Sequence, residues 1–280
     1  MLLSSFRFFV LPALLLSLTS TQAQDPPAST AAAPPLPAPN LTPPAPATKA
    51  ADPTAATPFG MADNMELVYR VLNAAGEPAG ELRQRVVYLA SGEREESKKR
   101  KVPEATASLK SGLYDKRNGL IRLQDLTFRS RRDTCFTDGL ASLNNDALRS
   151  FRDRKLAYAL TPLAWPNQPT VGSTLPEGGV SIQVSSSVVS IATVSTMLRK
   201  RRVAGGPTPL TTPAGTFACY KVEASRESAT VPRPDMAIRS SVKQVDFYAP
   251  GVGIVRTEIY DKKGKLEQVL ELTARNASAR

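Results

Sequence analysis

Ser240 and Lys243 have the spacing of a serine nucleophile whose base is a lysine. Such a pair would support acyl transfer if both side chains lay on one face of a helix, where positions i and i+3 are neighbours. Here the spacing falls on a segment with strand character, and residues three apart on a strand point to opposite faces. The S-D-N and K-T-G companions and the G-x-S-x-G nucleophile elbow are absent from the sequence. We therefore interpret the spacing as a coincidence.

The sequence has no histidine among its 280 residues and only two cysteines. Histidine-dependent nucleophiles and histidine-ligated zinc, haem or iron are thereby excluded, as are four-cysteine zinc sites and iron–sulfur clusters. No P-loop or dinucleotide fingerprint is present, so we expect no cofactor and no metal. A pair of carboxylates suffices for glycoside hydrolysis, but no motif singles out such a pair. A carboxylate-dependent hydrolase is therefore kept as the alternative function.

The first 23 residues predict a secretory signal peptide. Arg7 precedes an apolar run over 8–18, and Thr21-Gln22-Ala23 has the pattern of a cleavage site. Residues 24–58 hold 11 of the 24 prolines and no aromatic side chain, which predicts an extended, disordered linker. A P-x-x-P ligand at 43–46 is the alternative interpretation. No later segment is long enough to cross a membrane, so we expect a soluble, exported protein of the periplasm or cell surface.

Residues 59–280 predict a single domain built of β-strands. Apolar and polar positions alternate with a period of two, or form β-branched runs, over 65–72, 82–89, 105–114, 120–129, 135–136, 179–188, 189–202, 215–224, 238–249, 253–260 and 265–274. One short helix is expected at 144–151, where an asparagine can cap the first turn. Prolines predict an irregular connection around Trp165, which we expect to be a packing residue of the core or its rim and not a residue that stacks on a ligand. Glycines at 203–207 predict a turn.

Three segments have the composition of hairpin turns: 73–76, 115–119 and 261–264. Each begins with Asn or Asp, whose side chain accepts from the backbone two residues on, and each ends with Gly, which tolerates positive φ. Turns spaced by roughly ten residues indicate an all-β domain. The expected fold is mainly β: a strongly curved antiparallel sheet or partly closed β-barrel of about ten strands with one short helix.

Residues 211–222, TTPAGTFACYKV, resemble the T-T-P-A-G-T-F-x-C-Y-K segment of the TapB-like proteins. Residues 248–258 and 260–266 are similar to the C-terminal pattern of that family, and 171–176 with Cys135 to its middle. The TapB-like proteins are exported by Gram-negative bacteria and are related to a larger group of domains of unknown function. The resemblance covers most of 64–274. It implies a mainly antiparallel β fold and no particular activity.

The sequence has two cysteines, Cys135 and Cys219. An even number of cysteines in a chain that is predicted to be exported permits a disulfide. A bridge between them would close a long loop and stabilise the fold by about 4–5 kcal/mol in the chain-entropy model. A redox-active thiol would need a C-x-x-C spacing or an activating neighbour, and neither is evident. We predict a structural disulfide, with two buried free thiols as the alternative.

The net charge is +11, and basic residues cluster at 98–101, at 129–132 and at 199–202. Such clusters suit an anionic partner such as lipopolysaccharide or lipid headgroups. Solvated hairpin ends carry similar clusters, and we favour that interpretation. Nucleic acid is not expected as a partner, because the chain is predicted to be exported and no aromatic residues are interleaved with the clusters.

The strands over 179–202 carry Val180, Ile182, Val184 and Val188, whose apolar side chains need a cover. A ligand or closure of the barrel would provide it. We therefore predict a non-catalytic envelope protein that binds a hydrophobic or amphipathic ligand or acts as a scaffold. Its expected partners are lipid, lipopolysaccharide or another envelope protein. The alternative is a carboxylate-dependent hydrolase acting on envelope carbohydrate or lipid.

Overall fold

The computed structural model describes residues 56–276 apart from 98–99, 144–147, 149, 152, 188 and 234–235. Within these residues, segments in which apolar and polar side chains alternate form thirteen strands. The strands within these residues are β1 Glu66–Asn73, β2 Pro78–Ser97, β3 Arg100–Asp115, β4 Leu120–Arg131, β5 Thr134–Thr137, β6 Lys155–Thr161, β7 Leu163–Pro166, β8 Gly178–Ser186, β9 Val189–Thr212, β10 Gly215–Arg233, β11 Met236–Ala249, β12 Gly253–Tyr260 and β13 Leu266–Asn276. Short 3₁₀ turns occur at Pro58–Gly60 and Gly139–Ser142.

All thirteen strands belong to one antiparallel sheet that closes almost completely into a barrel. Its order is β6-β8-β9-β10-β11-β12-β13-β1-β2-β3-β4-β5-β7, so β6 and β7 form the two edges. Pro162 alone separates these strands in the chain, which brings the edges together. The Gly139–Ser142 turn packs here: a Cβ on Gly139 would lie 2.0 Å from the Gly179 carbonyl oxygen and 2.7 Å from that of Thr161. Only glycine therefore fits at this point of the seam.

The three predicted hairpin turns are confirmed. Asp261 Oδ1 accepts from the backbone N–H groups of Lys263 and Lys265, each at 2.8 Å, and Gly264 has φ +78°. Asn73 and Asp115 accept from the backbone of their own turns in the same way. Because neighbouring strands are antiparallel, all three turns lie at one end of the barrel, which we call the hairpin end.

The opposite end is filled by four aromatic side chains, which we call the aromatic floor: Phe59, Phe128, Trp165 and Tyr248. Phe59 contacts the rings of Phe128 and Tyr248 edge-on, with centroids 5.8 and 6.2 Å apart. The Trp165 and Tyr248 centroids are 5.2 Å apart. Trp165 is fully buried, which confirms the core position expected for it.

The expectation of about ten strands and one helix needs correction. The connection around Trp165, expected to be irregular, contains β7, and β6 at Lys155–Thr161 is a strand that the sequence pattern does not predict. Residues 203–207, expected to be a turn, lie inside β9. Proline is tolerated at a strand end or a sheet edge, so Pro162 and Pro166 interrupt these strands without abolishing them. The expected helix at 144–151 falls largely outside the described residues.

Other expectations concern residues that the structure leaves undescribed. The predicted signal peptide at 1–23 and nearly all of the predicted linker at 24–58 lie outside the described residues. Residues Ala50–Arg280 group into one compact unit. Within the described part of the chain, no helix is long and apolar enough to span a membrane.

Candidate functional site

The barrel encloses a cavity of about 680 Å³. Its apolar lining includes Leu67, Leu82, Leu113, Leu198, Ile259 and Leu270, together with the aromatic floor residues Phe59, Phe128 and Trp165. Ile121, Ser240 and Glu267 also line it and are exposed to solvent, and all three lie close to the turns of the hairpin end. The cavity therefore opens at the hairpin end and reaches to the aromatic floor.

Strand alternation determines which side chains face this cavity. On β11, every second residue lines it: Ser240, Val242, Gln244 and Asp246. Lys243 points outward and pairs with Glu223 at 3.0 Å. Ser240 and Lys243 thus lie on opposite faces of the strand, as predicted, and cannot act as a nucleophile and its base.

Two arginines bring positive charge into the cavity from distant strands. Arg122 on β4 donates to the Leu143 carbonyl at 3.2 Å, and Arg226 on β10 donates to the Ser142 carbonyl at 3.0 Å. Burial and, to a smaller extent, the charge of Arg226 together lower the pKa of Arg122 to about 10. Burial also lowers the pKa of Arg226, while Asp246 opposes that shift. An arginine with a pKa near 10 is still protonated at neutral pH, so Arg122 carries its positive charge at the cavity wall.

Asp246 is the buried carboxylate of this wall, with 1% of its surface exposed. Its oxygens accept from Thr257 Oγ1 at 2.6 Å and from Gln244 Nε2 at 3.0 Å. Burial raises the pKa of Asp246, whereas these hydrogen bonds and the charges of Arg201 and Arg226 lower it. The Asp246 carboxylate is therefore hydrogen-bonded by Thr257 and Gln244 from within the barrel wall.

The other carboxylates that are buried in the described part of the chain lie elsewhere. Asp138 caps the Gly139–Ser142 turn by accepting from Leu140 N at 2.9 Å. Glu271 pairs with Arg70 and Arg256 across neighbouring strands. Neither lines the cavity beside Asp246. Of the two carboxylates that line the described cavity, Asp246 is buried and Glu267 is exposed at the mouth.

Arg201 departs from the expectation of a solvated hairpin end for the 199–202 cluster. Its side chain is 1% exposed, lies over the Trp165 ring at 4.6 Å, and donates to the carbonyls of Pro176 and Ala164 at 2.8 and 3.0 Å. The cause is a β-bulge at Lys200, which has φ +52° and shifts the register against β10. The extra residue turns the Arg201 side chain into the barrel. Period-two alternation along the sequence does not predict this bulge.

The remaining basic clusters are exposed or half-buried, and they are partly neutralised. Lys101 lies 3.8 Å from Glu93, and Arg100 lies 3.5 Å from Glu96, which also pairs with Arg132. Residues 98 and 99 fall outside the described residues. These pairs are those of a charged, solvated hairpin end.

Cys135 and Cys219 are both buried in the main core cluster, and the structure has them as free thiols. The Phe59 backbone N–H donates to Cys135 Sγ at 3.4 Å. Burial raises the pKa of Cys135 and raises that of Cys219 to about 11, so neither thiol is activated as a nucleophile. The predicted disulfide is therefore not present in this structure, although both residues belong to one cluster.

Residues 66–272 match the model of the DUF3108-like family. Among curated proteins, none matches the chain. The fold resembles that of a protein described as exported, with a YmcC-like fold, from Bacteroides fragilis, with a TM-score of 0.55 and 18% identity over 79% of this chain and 100% of that chain. It also resembles that of a protein described as a lipoprotein from Parabacteroides distasonis, with a TM-score of 0.57 and 19% identity over 80% of this chain and 99% of that chain. At such identities the likeness shows the fold alone.

Proposed function

The chain belongs to the DUF3108-like family, and from that premise we propose that it is a non-catalytic protein of the cell envelope whose barrel holds a hydrophobic or amphipathic ligand. The cavity is the observation that carries this proposal. Protein interiors are close-packed, and voids larger than a water molecule are few. A cavity of about 680 Å³ lined by both apolar and polar side chains is instead the size of a small-molecule site.

Export supports an envelope role. The first 23 residues have the pattern of a signal peptide, and the two proteins of similar fold are described as exported and as a lipoprotein. We place the mature protein in the periplasm or at the cell surface, with lipid, lipopolysaccharide or another envelope protein as its partner. The narrower resemblance to the TapB-like proteins agrees with this placement.

The alternative of a carboxylate-dependent hydrolase receives less support from the cavity. Asp246 is buried there, and its oxygens are already engaged by Thr257 and Gln244. Catalysis by two acids would need a second carboxyl group across the scissile bond. Glu267 lines the cavity only at its exposed mouth.

Native mass spectrometry of the protein purified from cells that export it, with lipid extraction of the same sample, tests the proposal. We expect a co-purifying hydrophobe in substoichiometric or stoichiometric amount. A Leu270→Trp variant, which places a large ring in the cavity, should carry less of it. Leu123→Trp is the matched control, because Leu123 is 61% exposed and does not line the cavity.

The outcomes separate three roles. Loss of the hydrophobe in Leu270→Trp but not in Leu123→Trp supports binding inside the barrel. Equal occupancy in both variants would place the hydrophobe on the outer surface and contradict the proposal. A protein that purifies bare and binds no added lipid would instead be a scaffold.

A further inference from the structure

We propose that the protein forms a symmetric dimer in which β6 pairs antiparallel with β6 of a second copy, with Tyr158 on the two-fold axis. This dimer uses the outer wall of the barrel and does not depend on a ligand in the cavity. Three features of β6 support it: its open edge, its apolar side chains and the symmetry of its sequence.

The edge of β6 is open among the described residues. β6 pairs with β8 over all seven of its residues, and no second strand pairs with it. β7 does not cover it, because Pro162 alone joins the two strands and one residue is too few for a hairpin turn. Six of the seven β6 residues are exposed. Alternate N–H and C=O groups of β6 therefore face away from the sheet, where an added strand can pair with them.

β6 lacks the features by which an edge strand usually avoids pairing. Such strands are very short, or carry proline, a bulge or several charges. β6 has no proline, its pairing with β8 has no register shift, and its one charged residue is Lys155 at its start. The other edge strand, β7, has four residues, ends at Pro166 and has Trp165 fully buried. β6 is therefore the edge of this barrel that can accept a strand.

The sequence of β6 indicates that the added strand is a second copy of itself. Residues 156–160 are Leu-Ala-Tyr-Ala-Leu, which reads the same in both directions. In an antiparallel pair centred on Tyr158, each Leu156 lies opposite Leu160 of the second copy, and the two Tyr158 side chains are neighbours. Lys155 lies opposite Thr161 and meets no like charge. All seven residues then have a matching partner, as the self-complementary interface of a two-fold dimer requires.

The same pairing continues an apolar face of the barrel wall. The apolar residues of β6 lie opposite three buried residues of β8, in the pairs Leu156–Val184, Tyr158–Ile182 and Leu160–Val180. Opposite residues share a face of the sheet. Tyr158 and Leu160 are nevertheless 49% and 44% exposed, so this face loses its cover at β6. A second β6 would place apolar side chains beside both of them and extend each row through two sheets.

Other occupants of this edge fit less well. Residues 24–58 of this chain hold 11 prolines, which have no N–H to donate to a strand partner. A strand from another protein would not require a symmetric sequence in β6. A seven-residue edge is smaller than a standard interface of about 1,600 Å². We therefore expect a dimer that dissociates on dilution.

Sedimentation velocity of the exported full chain over a range of concentrations tests the dimer. Tyr158→Glu should raise the dissociation constant of the dimer by at least about 10-fold, because two carboxylates would meet at the axis. Tyr158→Lys should do the same with two ammonium groups. An equimolar mixture of the two variants should dimerise again, because opposite charges then meet. Tyr88→Glu is the matched control, since Tyr88 is 62% exposed on β2 and lies outside the proposed interface.

Crosslinking tests the position of the axis. Directly opposite Cβ atoms lie about 4.5–5.5 Å apart, close to the separation that a disulfide spans. Tyr158→Cys should therefore form a covalent dimer when oxidised glutathione is supplied as the oxidant. Val189→Cys, at a position that is 64% exposed on β9, should not. Cys135 and Cys219 are buried and are common to both variants.

Each result supports or overturns the dimer. A parent protein that stays monomeric, together with a Tyr158→Cys variant that does not crosslink, would show the proposal to be wrong. A dimer that persists in Tyr158→Glu would place the interface elsewhere, and a mixture of Tyr158→Glu and Tyr158→Lys that stays monomeric would contradict an axis at Tyr158. Dimerisation only after removal of residues 24–55 would mean that this segment occupies the edge instead. Should Tyr158→Glu fail to fold, the crosslinking of Tyr158→Cys decides.

Discussion

Replacing Arg201 by methionine should destabilise the barrel far more than any replacement of an exposed basic residue. Arg201 is 1% exposed and stacks on Trp165. Its two terminal nitrogens donate to the carbonyls of Pro176 and Ala164, so one side chain joins the segment before β8 to strand β7 near the seam of the barrel. Methionine keeps much of the apolar contact with the indole ring but can donate to neither carbonyl.

The loss of stability in Arg201→Met follows from the buried groups that lose their partner. Each buried carbonyl that loses its donor costs about 1–3 kcal/mol. Asp246 also loses one of the two cations that favour its ionised form. Removing one member of a buried charged arrangement typically costs ~3–5 kcal/mol, and we expect Arg201→Met to fall in that range. Arg202→Met is the matched control: Arg202 is exposed and lies 3.8 Å from Glu223, so its loss should cost less than about 1 kcal/mol.

Urea unfolding followed by Trp165 fluorescence measures both variants against the parent protein. The urea midpoint should drop sharply for Arg201→Met with little change in the dependence of the unfolding free energy on urea. In an Asp246→Asn background, the cost of Arg201→Met should shrink, because the carboxylate charge that Arg201 compensates is then absent. If Arg201→Met costs no more than Arg202→Met, the buried guanidinium does not stabilise the seam and our reasoning is wrong.

Three further predictions concern the seam, the buried acid and the thiols. Gly139→Ala should destabilise the protein by about 1–3 kcal/mol or more, because its Cβ would lie 2.0 Å from a backbone carbonyl oxygen of β8. Gly92→Ala is the control and should change the free energy of unfolding little, because no atom lies within 4 Å of its Cβ. Equal effects of the two substitutions would contradict the close approach at Gly139. Burial raises the pKa of Asp246 above its ordinary value of 3.8. The stability that protonated Asp246 contributes to the folded state is therefore largest below pH 3.8 and is lost as the pH rises through the folded-state pKa. The free energy of unfolding of the parent protein relative to Asp246→Asn should therefore fall as the pH is raised from 4 toward neutrality, and a rising difference would refute the raised pKa. The bridge between Cys135 and Cys219 stays a prediction: labelling of the exported protein after unfolding without reductant should find no free thiol, whereas two labelled thiols would match the free cysteines of the structure.

The strands and their turns could be predicted because their signals are local. Alternation with a period of two marks one face of each strand for burial, and eleven of the thirteen strands occur where that pattern or a β-branched run lies. Asn73, Asp115 and Asp261 each accept hydrogen bonds within their own turn, so those turns depend on no distant residue. The opposite faces of Ser240 and Lys243 follow from the same alternation.

The inside of the barrel was decided by contacts between residues far apart in the chain. β6 and β7 have weak local patterns and form because β8 and β5 pair with them, and the closure of the sheet then places Pro162 at its seam. The bulge at Lys200 reverses the alternation of β9, and this reversal alone turns Arg201 from the surface to Trp165. Arg122 and Arg226 meet only because the register of every strand between them is set. Side-chain direction along a strand repeats every two residues, so one unpaired residue at a bulge moves every following side chain to the other face of the sheet. The sequence does not mark where such a bulge lies.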